Sequence, residues 1–394
     1  LSRKAYKPGT TERKLSDFYR LATDSARRNR EGLGPVQPLL AEMEAARSLD
    51  DLHRLQLKYA RLGYGVPFGS GFAADDKNVT MNILVLRQGG LTLGQRDWYL
   101  NTDKATADVR EAFRRHIVRM FRLYGFTEEQ SARKGEAVFR FETTLALVSK
   151  SNTELRDPQA NYNKMTLAAF EAAWPNIPLR ALSQAQGIDT AAIREVVVGQ
   201  PAFFTGCDRL AALLTADELR ALMEWDVIMG SANVLSDNVR EANFDFFGKT
   251  MKGRKEDFPL WKRATVQVEH AMGEALGKMY CERYFPASSK RMMEELVRQL
   301  QLSLAQRIDA QTWMSDSTKA NAHDKLDRFY VKIGYPNKWT DYARLDIDPA
   351  RSYYENVVAA RLFAVDKEIR DKAGRPVDRD EWYMTPQTVN AYYN

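Results

Sequence analysis

Metal-binding and acid–base side chains are sparse in this sequence. The four histidines, His53, His116, His270 and His323, stand singly along the chain. His270 has an acidic residue four positions on, Glu274, which would put the two side chains one above the other on a helix face as half of a metal site. No second pair completes a coordination set, so Glu274 reads as a solvated or ion-paired neighbour. The 394 residues contain no His-Glu-x-x-His helix, no Gly-x-Ser-x-Gly elbow, no phosphate-binding Gly-x-x-x-x-Gly-Lys-Ser/Thr loop and no dinucleotide Gly-x-Gly-x-x-Gly turn. Nucleophilic and cofactor chemistry therefore have no motif of their own. Cys207 and Cys281 lack CxxC spacing and read either as two buried thiols or as one bridge.

The most basic stretch, Phe113 to Tyr124, mixes arginines with aromatics in the way a nucleic-acid surface does. On a helical wheel Phe113, Ile117, Met120, Phe121 and Tyr124 share one face and Arg115, Arg119 and Arg122 another. Aromatics committed to a core cannot stack on bases, so the stretch is an amphipathic helix and nucleic acid is not a partner. The net charge of +6, with 28% charged residues, is too small to argue otherwise.

The elements that must position any site are mostly helices. A 44% hydrophobic content over this length buries at least one large core. Leu15, Phe18, Tyr19, Ala22 and Ala26 fall at helical spacing, with turn material from Asn29 to Gly34. Ser48 with Asp51, Thr127 with Gln130 and Thr215 with Glu218 are N-terminal capping signatures, and the first of these helices is expected to run to Leu62 and close on Gly63. Residues 79–86, β-branched and roughly alternating, predict a strand, and Val196 to Val198 a second, weaker one. Long helical patterns follow over about 258–284 and 289–314, with Pro286 between them. No apolar run reaches the length of a membrane span, and the first residues lack the apolar stretch of a signal peptide.

A series of short segments gives this helical chain an affiliation. Leu93-Gly94-Gln95-Arg96-Asp97-Trp98-Tyr99-Leu100, Glu154 to Pro158 with Tyr162 to Thr166, Gly273 to Tyr280, Thr312 to Lys319, Ile333 to Trp339, and Arg375 to Trp382 leading into Val389-Asn390-Ala391-Tyr392-Tyr393, resemble landmarks of the neprilysin and endothelin-converting-enzyme family of zinc metallopeptidases, in that family's order. They cover roughly three quarters of the chain.

The resemblance implies a mainly α fold: a large multi-helix domain with minor β-strands over residues 1–339, which walls a closed chamber. Residues 340–394 would then be the linker and the start of an α+β zinc-peptidase domain. In that part residues 351–370 would be helical and Val389 to Asn394 the edge strand that binds substrate backbone. Asn390, whose amide both donates and accepts, and the small Ala391 are the substrate-binding residues the resemblance implies. Taken without the resemblance, Asn390 reads as a turn or strand-end asparagine bonded to its own backbone. The family's usual Asp-Phe-Tyr-x-Tyr-x-Asn-Gly-x-Trp segment is not matched, because Asp17-Phe18-Tyr19 runs on into Arg20-Leu21-Ala22.

The cofactor so implied is zinc, held by two histidines and a carboxylate outside these residues. This chain by itself is therefore expected to carry no catalytic or metal-ligating residue and to be inactive. Its expected partners are peptide substrates and the remaining catalytic part of the same enzyme, with an extracytoplasmic location, periplasmic or secreted. The contrasting reading is a non-enzymatic helical binding or scaffold protein derived from the peptidase lid.

Overall fold

The computed structural model describes residues 4–393, and their contacts gather into two compact units. The larger contains residues 20–264 and 345–377; the smaller contains 265–344, 378–393 and the described part of the first nineteen. Each is built mainly of helices, as the sequence predicts.

In the larger unit a four-stranded sheet has the order β1 (Phe68–Asp75), β2 (Asn78–Gln88), β4 (Glu195–Val198), β3 (Asn163–Thr166). The β1–β2 and β3–β4 pairs are antiparallel, whereas β2 and β4 run parallel, with Leu84 beside Val196 and Leu86 beside Val198. Because strand side chains alternate, that register sends Leu84, Leu86, Val196 and Val198 into one large core with Phe170, Phe203 and Phe204. Ile83, Val85 and Val197 enter a smaller cluster on the opposite face, beside Ala73 and Tyr162. The helix Tyr353–Lys372 covers part of the sheet and ties to it through Glu368, which accepts the Phe72 N–H at 2.9 Å. The chain leaves that helix to pair with β2, where Val377 N–H donates to Thr80 C=O at 2.9 Å.

The helices Lys104–Leu123 and Glu128–Val148 form an antiparallel pair against which Ala216–Ser231 packs. All five residues of the predicted apolar face, Phe113, Ile117, Met120, Phe121 and Tyr124, are buried, and Arg115 and Arg122 are exposed. His116 joins the buried face, stacking on Phe246 at 4.8 Å between ring centres. Burial, reinforced by Arg119, pushes its imidazole down to about 3, so it packs as a neutral ring. The three capping boxes at Ser48, Thr127 and Thr215 all form.

Four expected boundaries move. The first helix is Thr11–Thr23, because the Asp24 side chain accepts the Arg27 N–H and starts a separate helix, Ser25–Glu31, that takes Ala26. The helix after Ser48 stops at Lys58, and the chain turns through residues 59–63 before Gly63 at φ +77°. Pro259 precedes a helix Leu260–Tyr284, and Pro286 is the N-cap of Ala287–Asp309. The terminal helix starts at Tyr353, behind a Ser352–Glu355 capping box. Cys207 and Cys281 are free, buried thiols. No helix among the described residues is long and apolar enough to cross a membrane.

One buried ion pair braces the helical layer. Lys134 Nζ lies 2.6 Å from both Glu224 and Glu44, with Glu224 fully buried. Burial pushes the Glu224 carboxyl up to about 8, with Glu44 adding to the shift, while Lys134 holds it down. Lys134→Met strands the Glu224 carboxyl and is expected to cost about 3 kcal/mol in urea unfolding, with the Lys134→Met/Glu224→Leu double variant recovering most of the loss. Above the unfolded carboxyl pKa of about 4.5 the folded state keeps a proton that the unfolded state has shed, so stability falls as pH rises towards the folded value. The single variant's deficit should therefore be larger at pH 8 than at pH 5.

Candidate functional site

The site predicted from the sequence lies in the smaller unit, where residues 378–393 run beside the helix Leu260–Tyr284. The approach is anchored at three points. Arg379 donates to the Arg328 carbonyl at 3.1 Å, Tyr330 O–H donates to Asp380, and Lys332 donates to the Glu381 carbonyl.

Two glycines then let the chain lie flat on the helix. A Cβ at Gly273 would stand 2.6 Å from Thr385 Cγ2, and one at Gly277 would stand 2.6 Å from Pro386 Cδ and 2.7 Å from Gln387 Oε1. Four residues apart, they share one helix face and leave a strip without side chains. Thr385 O–H donates to Glu269 at 2.9 Å and Gln387 Nε2 to the Gly273 carbonyl at 3.2 Å, so the seat is polar at both ends. Just before the strip the helix is broken at Met272, with φ −146° and ψ 44°.

Beyond this seat the chain curls. Thr388 N–H bonds to Thr385 C=O at 3.0 Å and Asn390 N–H to Thr388 C=O at 3.1 Å. Tyr392 meets Tyr383 edge to face at 5.9 Å, and Tyr393 meets Phe329 at 6.1 Å. Asn390 and Ala391 are both exposed, and Asn390 Oδ1 accepts the Ala391 N–H at 2.8 Å. That bond is the backbone-capping geometry the residue type favours by itself. Residues 389–393 form no strand, for no described strand lies alongside to share a ladder with them. Asn394, the last residue of the expected strand, lies outside the described residues.

Other family-like segments turn out to be structural. Glu274 accepts the Thr340 N–H at 2.8 Å, fixing the loop after Trp339, while His270 is exposed. Among the described residues no cluster of three or more His, Cys, Asp or Glu side chains could hold a metal ion, so these residues do not themselves fit a zinc site. The Leu93–Leu100 segment wraps a buried carboxyl in the larger unit. Tyr99 O–H donates to Glu142, and Thr92 donates to it through its hydroxyl at 2.6 Å and its N–H at 3.1 Å. Sequence reading passed over Glu142 and also Asp226, because a carboxyl on an amphipathic helix looks the same whether it meets water or a cavity.

A small mixed sheet among helices in the larger unit, and a glycine-lined helix under an aromatic terminal segment in the smaller, are features of a chain whose class is that of the neprilysin-like family. Residues 1–336 match the family model described as Peptidase family M13, and the chain belongs to that family. It is 28% identical over 408 residues to mouse endothelin-converting enzyme-like 1, covering 98% of this chain and 52% of that protein. With mouse neprilysin it shares 28% identity over 348 residues, covering 81% and 45%. The fold superposes on the zinc metalloprotease Zmp1 of Mycobacterium tuberculosis in its open state with a TM-score of 0.91 at 32% identity, covering all of this chain and 60% of that one. The chain thus spans about half the length of the curated relatives it matches.

If the glycine strip seats the terminal segment, Gly277→Ala should dislodge residues 385–387 even though alanine favours the helix by about 1 kcal/mol. Hydrogen exchange followed by mass spectrometry should show faster exchange over 383–393 and no loss of protection in the helix itself.

Proposed function

We propose that this chain is the non-catalytic part of a neprilysin-like zinc metalloendopeptidase. In this reading residues 1–339 form the helical wall of a chamber that admits peptides and excludes folded proteins, and residues 340–394 lead into the catalytic domain. The contact-based units follow packing and run differently from that functional division. Membership of the family supports the peptidase reading. A relative named as a zinc metalloprotease, at 32% identity, supports zinc as the metal, held outside these residues.

The observation that carries the proposal is an uncovered apolar face in the smaller unit. None of the 23 residues of the helix Ala287–Asp309 is buried, yet Met292, Leu296, Leu300 and Leu304 repeat at four-residue spacing and are 70%, 48%, 61% and 45% exposed. Such a stripe is the core-facing side of an amphipathic helix. The remaining catalytic part of the enzyme is its natural cover. Asn390 and Ala391, exposed at the end of an anchored segment, would take strand form beside that part and pair with an extended peptide backbone. The bond from Ala391 N–H to Asn390 would open in exchange for one to substrate. An extracytoplasmic location, periplasmic or secreted, follows from the same family reading.

The test uses the whole enzyme. Asn390→Ala is expected to lower kcat/KM for a quenched-fluorescent peptide by about tenfold or more, with zinc content and Tm unchanged, since an unmatched buried amide partner costs about 1 to 3 kcal/mol. Peptides of graded length should be cut and a folded protein spared. Unchanged activity per folded molecule would make Asn390 a local backbone cap only, and a whole gene product without zinc or turnover would favour a helical scaffold.

A further inference from the structure

The larger unit encloses a cavity of about 430 Å³, a size typical of small-molecule sites. Its wall is mostly apolar, with Phe68, Phe141, Leu182, Leu219 and Leu222 facing inward. Its mouth is formed by exposed residues, among them His53, Asn176 and Ala211. Two carboxyls, Glu142 and Asp226, line this apolar space beside Trp225, and no lysine or arginine is among the described lining residues.

The two acids differ in how they are held. Glu142 takes three hydrogen bonds from Thr92 and Tyr99, so its charge has a fixed cradle. Asp226 accepts one, at Oδ2 from Gly65 N–H at 2.7 Å, and no ion pair, which leaves Oδ1 free among the described residues. Asp226 nonetheless keeps accessible surface, and as a lining residue it turns that surface to the cavity. Burial pushes both carboxyls up to about 7, and the charge of Asp226 adds to the rise at Glu142. Anionic and apolar walls together match one chemistry: an ammonium group on an apolar body, bonded to Asp226 within a lining that includes Trp225.

We propose that this cavity binds a small organic ammonium ion, with Asp226 as its direct ion-pair partner and Glu142 as the second negative charge. The inference does not depend on the peptidase reading, since every residue involved lies in residues 20–264.

Butylamine, 2-phenylethylamine and tryptamine, each paired with its alcohol isostere, serve as probes in isothermal titration calorimetry on the purified protein. At pH 8, where both carboxyls are ionised and the amines are still protonated, at least one amine should bind about tenfold or more tighter than its alcohol. At pH 5.5 the preference should shrink, because Glu142 and Asp226 both gain protons. Asp226→Asn keeps the acceptor for Gly65 and should bring amine and alcohol to similar affinity, with circular dichroism confirming the fold. Ala211→Trp, at the exposed mouth, should weaken every probe without lowering Tm. Equal binding of amine and alcohol to the wild type, no binding of any probe, or a preference that survives Asp226→Asn would each overturn the assignment.

Discussion

The parallel pairing of β2 with β4 is the constraint on which the larger unit depends. Leu84 meets Val196, so everything between those residues must leave the sheet and return to it. A parallel pair needs such a crossover, and its two faces must both be covered. The intervening chain supplies much of the cover through Leu145 of the helix Glu128–Val148 and through Leu167, Phe170 and Trp174, and Phe203 and Phe204, just after β4, complete that core. A slip of one residue in that pairing would exchange the large core for the small one, and the volumes are too different to permit it.

Polar side chains inside this unit are held in two ways. Lys134 is matched by Glu224 and Glu44, and its ammonium also lies 4.7 Å from the centre of the Phe126 ring. Glu142 is matched by neutral donors instead, from a segment eight residues long that brings Thr92, Leu93 and Tyr99 together. Buried charge of either kind stabilises only when its hydrogen bonds are complete, and both Glu224, through Oε1, and Asp226, through Oδ1, fall one bond short.

The smaller unit shows the opposite economy. Its helix Ala287–Asp309 has no fully buried residue, and its loops are held by polar and aromatic contacts such as Lys290 Nζ on the Tyr335 carbonyl at 2.8 Å and Tyr335 stacked on Trp339 at 5.9 Å. A face of this kind has helical periodicity for its cause. The terminal segment fits the same pattern: firmly seated as far as Gln387, then exposed at Val389, Asn390 and Ala391.

Local chemistry was legible in the sequence wherever a few adjacent residues decide the outcome. Capping boxes, the wheel of residues 113–124 and the strand at 79–86 all depend on spacing within a turn or two, and all appear in the fold. Boundaries set by competing caps, as at Asp24, were not legible, because the winner depends on which core the next turn can reach. Nor was the role of Gly273 and Gly277, whose lack of a side chain matters only because Thr385 and Pro386 arrive more than a hundred residues later. The sequence by itself determined the helical class, the caps and the kinship. Tertiary structure alone decided that Glu142 and Asp226 share a cavity and that Glu274 holds a loop, since burial and partnership are properties of what folds against a residue and not of the residue itself.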